Sequence, residues 1–100
     1  MYDSKNLTKL KKLGTLAPEA FQAFVAFDQA AFKEGAIPIK YKELMAVAVA
    51  LTTQCPYCIE IHTKKAKTAG ASEEELAETT LIAAALRAGG AITHGTHTLE

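Results

Sequence analysis

The sequence contains no tryptophan, and Phe and Tyr supply only 7% of its residues although 49% are hydrophobic. A small β-sandwich or barrel fills its core with aromatic and β-branched side chains, so an alanine-rich chain with so few rings points to close-packed helices. An excess of charge of either sign is also missing. Eleven Lys and Arg balance eleven Asp and Glu, which speaks against a nucleic-acid partner or an acidic membrane surface. Long apolar runs are missing too: Leu44 to Leu51 is the longest, far short of the roughly 20 residues that a bilayer span needs. The stretch from Met1 to Gly14 is polar and Lys-rich rather than signal-like, so a soluble, cytoplasmic protein is expected. Cysteine is scarce, with two residues in all. Two thiols three apart are no disulfide framework of a secreted mini-protein; in a reducing compartment the spacing points to redox chemistry or metal.

The 100 residues suffice for one core and not for two, so residues 1–100 are read as a single all-α domain of five to six helices. Leu7, Leu10 and Leu13 recur on one side of a short amphipathic helix over Asn6 to Leu13, which Gly14 is expected to end. Pro18 suits the first position of a second helix running to Gly35, with Phe21, Phe24, Val25 and Phe32 at helical spacing. A third helix, Lys40 to Thr53, is apolar on every side from Leu44 to Leu51 and is therefore expected to be central and surrounded. The fourth opens at Cys55-Pro56 and closes at Gly70. Ser72-Glu73-Glu74-Glu75 matches a capping box and opens a fifth, with Leu76, Thr80, Ala83 and Leu86 facing inward and Gly89-Gly90 kinking or breaking it.

Cys55-Pro56-Tyr57-Cys58 places two thiols on one face at a helix start. Residues i and i+3 are close enough for a disulfide of ordinary geometry, and the helix N-terminus stabilises a thiolate. The alternatives are two inert cysteines or half of a zinc site; with His62 the motif still offers one ligand too few for a closed structural site. His62 follows Cys58 by one helical turn, close enough to exchange a proton with it, which makes Cys58 the expected nucleophile. If the third and fourth helices turn near Gln54, Glu43 and His62 come within side-chain reach of each other, and a carboxylate there would orient the imidazole. Glu60, Tyr41, His94 and His97 are weaker candidates, read as a solvated residue, a packing ring and a flexible tail.

Glu43, then Cys55-Pro56-Tyr57-Cys58, then His62, followed by Lys65-Ala66-Lys67-Thr68-Ala69-Gly70-Ala71-Ser72, resembles the alkylhydroperoxidase D-like branch of the carboxymuconolactone decarboxylase family. Arg87-Ala88-Gly89-Gly90 and Thr93-His94-Gly95 extend the resemblance over Ile37 to Gly95. It implies an all-helical fold, a homo-oligomer with a hexamer as trimer of dimers favoured, and reduction of hydroperoxides by a cysteine pair that a dithiol such as a lipoyl- or thioredoxin-like protein resets. Glu43, Cys55, Cys58 and His62 each match a functional position of that pattern. Tyr57 stands where some members carry a His, so a relay through a second imidazole is not expected. The expected cycle is attack of Cys58 on a peroxide oxygen, condensation with Cys55, and reopening of the disulfide by external attack at Cys55, with no cofactor or metal. A general disulfide reductase or redox sensor, and a lactone decarboxylase, are the competing readings.

Overall fold

A computed structural model describes residues 2–100; Met1, the first residue of the polar N-terminal stretch, lies outside them. The described residues form five α-helices and two 3-10 turns with no strand, which is the all-α class expected. The chain divides into two compact units, Met1–Ile39 and Lys40–Glu100.

In the first unit a 3-10 segment, Ser4–Lys9, leads into α1, Leu10–Leu16, and then α2, Pro18–Phe32. Asp3 starts the segment by accepting the Lys5 N–H at 2.9 Å. Gly14 lies inside α1 instead of ending it. A Cβ there would stand 2.7 Å from Cδ1 of Phe21, so glycine serves the close approach of the Phe21 ring to the helix rather than a stop. Pro18 does open α2, where its missing N–H costs nothing. The helix ends at Phe32, three residues before Gly35, because Lys33 turns extended at ψ 143°. Glu34 then folds back to accept the Ile39 N–H at 2.9 Å, an anion at the head of the next helix.

The second unit holds most of α3, Ile39–Thr53, with α4, Pro56–Thr68, α5, Glu73–Gly95, and a closing 3-10 turn, Thr96–Thr98. Both helix reversals use the same device. Gln54 at φ 56° and Gly70 at φ 100° take left-handed backbone, and the following residue bonds back to the last full turn: Cys55 N–H to the Ala50 carbonyl at 3.0 Å, Ala71 N–H to that of Ala66 at 2.9 Å. These are Schellman closures, which satisfy carbonyls that a helix end otherwise orphans. The Ser72 and Glu75 capping box forms, with its reciprocal bonds at 3.1 and 2.9 Å. Glu75 also pairs with Lys40 at 3.0 Å, tying the start of α5 to the start of α3.

Small side chains make this unit's core: Leu44, Val47 and Ala50 from α3, Ala66 from α4 and Ala83 from α5. Two expectations fail here. The third helix is not surrounded, since Tyr41, Met45 and Val49 form an exposed stripe at four-residue spacing; an apolar segment can keep one side for a partner surface. The fifth helix is not interrupted: α5 runs through Gly89 and Gly90, where flanking alanines and leucines sustain the helix and no neighbouring atom approaches either glycine. On α5, Leu76 is half-buried and Ala83 buried as expected, whereas Thr80 and Leu86 face outward.

Candidate active site

The inward stripe of α3 reads Glu43, Val47, Ala50, and all three are buried. A carboxylate in such a stripe is expensive unless something compensates it, and Glu43 is the buried charged residue among those described. Its partner is His62 on α4, with Nδ1 2.7 Å from Oε1 of Glu43. A carboxylate oxygen only accepts, so Nδ1 donates and the lone pair of the neutral ring falls on Nε2. The Schellman turn at Gln54 produces this meeting. It reverses the chain so that residues eleven before and eight after the turn come to the same level, at ~1.5 Å of rise per residue.

The same turn carries the cysteines. Cys55 is at once the residue whose N–H closes α3 and the N-cap of α4. Its Sγ accepts the Cys58 N–H at 3.3 Å, and the two sulfurs lie 2.7 Å apart in a shared hydrogen bond. Both are thiols in this structure and both are half-buried. The hydrogen bond shared with the Cys58 thiol, then the Cys58 N–H, hold Cys55 below the ordinary cysteine range, with the Tyr57 N–H adding a smaller push against the opposing effect of burial. The same shared hydrogen bond raises Cys58 to about 11, and burial and the negative charge on Cys55 push the same way. The cap position of α4 belongs to Cys55, and Cys58 lies in its first turn. His62 follows Cys58 by one turn on α4, a spacing that brings Cβ atoms to about 5–6 Å.

Arg87 is a contact that the residue pattern did not reveal. From α5 its guanidinium donates to the Thr52 carbonyl, one of the last acceptors of α3 just before the cysteine turn. The only sequence signal was a single cation in an otherwise Ala- and Leu-rich stretch. The weaker candidates make contacts of other kinds. Glu60 pairs with Lys64 at 3.6 Å along α4, Tyr41 lies under the Lys40 ammonium at 5.0 Å, and His94 and His97 face each other with ring centroids 5.5 Å apart. Among the described residues no group of three or more His, Cys, Asp or Glu is arranged to hold a metal ion, and no helix is long and apolar enough to cross a membrane.

Residues 18–100 match the Carboxymuconolactone decarboxylase family. The chain is 46% identical over 77 residues to uncharacterised protein 4 of the cox locus of Paracoccus denitrificans, covering 77% of this chain and 69% of that one. It is 40% identical over 70 residues to an uncharacterised protein of Cupriavidus necator, covering 70% and 62%. The crystal structure of an apo carboxymuconolactone decarboxylase family protein from Legionella pneumophila superposes with a TM-score of 0.79 at 39% identity, covering 83% of this chain and 75% of that one. A protein from Methanobacterium thermoautotrophicum superposes with 0.78 at 34% identity, over 83% and 95%.

Proposed function

The chain belongs to the carboxymuconolactone decarboxylase family, and on that premise we propose that it is a thiol-dependent peroxidase of the alkylhydroperoxidase D-like branch. The observation that carries the reading is the placement of two thiols 2.7 Å apart on the turn that also joins the buried Glu43 and His62 pair. One sulfur takes the terminal oxygen of a hydroperoxide as a sulfenic acid, and the other condenses with it. The dithiol and ROOH thus become a disulfide, ROH and water. His62, oriented by Glu43, moves the protons. An external dithiol, such as a lipoyl- or thioredoxin-like protein, reopens the disulfide and leaves oxidised itself.

The working form is a cytoplasmic homo-oligomer, with no cofactor or metal in the cycle. A lactone decarboxylase has no use for a dithiol, so the paired sulfurs favour redox chemistry over that alternative. The test is the oxidation state of the two cysteines after one equivalent of an alkyl hydroperoxide, read by alkylation and mass spectrometry. Loss of both free thiols with formation of the Cys55–Cys58 disulfide supports the peroxidase. Retention of both thiols removes it, and disulfide exchange without peroxide consumption makes the protein a disulfide reductase instead.

A further inference from the structure

We propose that Arg87 is a positioning residue for the dithiol, its guanidinium clamping the Thr52 carbonyl so that the Gln54 turn holds Cys55 and Cys58 together. The role rests on the dithiol reading above. A helix leaves its last four carbonyls without intrahelical donors, and the chain after α3 has few to offer. The Cys55 N–H is committed to Ala50 at 3.0 Å, and Pro56, four residues after Thr52, has no N–H at all. The hydroxyls of Thr52 and Thr53 turn back to the Val49 carbonyl at 2.7 and 3.1 Å. The Thr52 carbonyl is thus left for a donor from another element, and Arg87 on α5 is that donor. The same contact sets a positive charge at the negative, C-terminal pole of α3.

The residue two positions on makes the clamp matter. Gln54 takes φ 56°, a left-handed backbone that a Cβ disfavours and glycine adopts freely. The other reversal uses Gly70 at φ 100°, so its left-handed residue needs no outside hold. At Gln54 the turn is locally strained, and directly after it comes Cys55, whose sulfur lies 2.7 Å from that of Cys58. Relaxation of Gln54 would move Cys55 relative to Cys58, and a donor anchored on a different helix opposes that movement from the Thr52 side. Preorganisation of this kind raises the effective concentration of one thiol at the other, which sets how readily the disulfide closes. Arg87 is exposed, so removing its side chain opens no cavity and the clamp can be tested in a folded protein.

Redox titration of the full chain in glutathione buffers decides it. The dithiol is oxidised to the Cys55–Cys58 disulfide while one glutathione disulfide is reduced to two thiols, so the equilibrium constant measures the effective concentration of the pair. Arg87→Ala is expected to lower that constant roughly three- to tenfold, the scale of one net hydrogen bond. Arg87→Lys, which keeps a donor and the charge, is expected to restore part of it, and a loss that lysine does not reduce at all overturns the carbonyl clamp. Lys40→Ala is the control: it cuts the tie between α3 and Glu75 of α5, at 3.0 Å, at the opposite end of α3, and is expected to leave the constant unchanged. An Arg87→Ala constant equal to that of the wild type, or lowered no further than that of Lys40→Ala, overturns the role. If the wild type forms no disulfide at any glutathione ratio, the dithiol reading and the role of Arg87 fall together. If the constant falls in Arg87→Ala while the wild type consumes no hydroperoxide, the clamp stands and the peroxidase reading falls.

Discussion

Nδ1 of His62 and Oε1 of Glu43 lie 2.7 Å apart across the turn that carries the dithiol. The carboxylate belongs to the same inward stripe as Val47 and Ala50. A helix built only for packing would place an apolar residue there, because burying a carboxylate demands a compensating partner. His62→Ala is therefore expected to act twice. It should slow hydroperoxide consumption by something in the 10²–10⁴-fold range of general acid–base groups, and it should lower unfolding free energy by about 3 kcal/mol or more through the stranded charge. Glu43→Gln should share the kinetic loss with a smaller loss of stability, since the amide oxygen can still accept from Nδ1. Turnover assays and urea titrations of both variants check this; unchanged turnover in both would leave the pair a purely structural contact.

The thiol asymmetry predicts how the reduced protein's stability changes with pH. Cys55 is lowered on folding, so the unfolded chain binds more protons there, and stability rises as pH climbs toward the ordinary thiol value. Cys58 is raised to about 11, so the folded chain holds more protons above the ordinary value, and stability falls as pH climbs from there toward 11. A maximum near the ordinary cysteine pKa, about 8.5, is expected from the pair. Urea midpoints against pH measure it, with the Cys55→Ser, Cys58→Ser double variant as reference. A wild-type profile superimposable on the double variant's would mean that the turn does not bias the two sulfurs.

How much of this was legible beforehand divides along a physical line. Local rules carried the helix starts at Pro18 and Pro56, the Ser72 capping box and the proximity of Cys55 to Cys58, because each depends on neighbours within one turn. The approach of Glu43 to His62 was legible as an offset, since a two-residue reversal at Gln54 fixes the level of everything on both helices. What failed depended on distant atoms or on chain outside the motif. Gly14 looked like a stop because nothing local announces the Phe21 ring against it, and Gly89-Gly90 looked like a break because propensity alone does not count the alanines that carry α5 past them.

Ser72→Ala and Gly89→Ala should move stability in opposite directions. Ser72 Oγ accepts the Glu75 N–H at 3.1 Å, and losing a helix cap of this kind costs ~1 kcal/mol. Gly89 is interior to α5 and, apart from the helix's own adjoining backbone, nothing lies within 4 Å of an added Cβ, so alanine there should stabilise by about 0.5–1 kcal/mol through helix propensity. Thermal and urea unfolding of the two variants under identical conditions checks the signs. A destabilising Gly89→Ala would show that another surface packs against that glycine.

The last prediction concerns assembly, and each unit argues for it separately. On α3, Tyr41, Met45 and Val49 expose 47%, 53% and 60% of their surface along one stripe, immediately across the helix from the inward Glu43, Val47 and Ala50 stripe. On α5, Leu81, Ile82 and Leu86 are exposed, and in the first unit Leu13, Leu16, Phe24 and Phe27 are exposed as well. Single apolar residues at a surface mean little, but contiguous stripes on successive turns mark association surfaces. Closed rotational symmetry is the usual way to cover them, and the family resemblance points to three dimers, a mass of about 64 kDa at six times 10.7 kDa. Light scattering at micromolar concentration is expected to give that mass, and Met45→Lys with Val49→Lys to lower it by placing like charges on the α3 stripe. A wild-type mass near one chain would overturn the association argument, and a stable dimer would retain the α3 contact while removing the threefold arrangement.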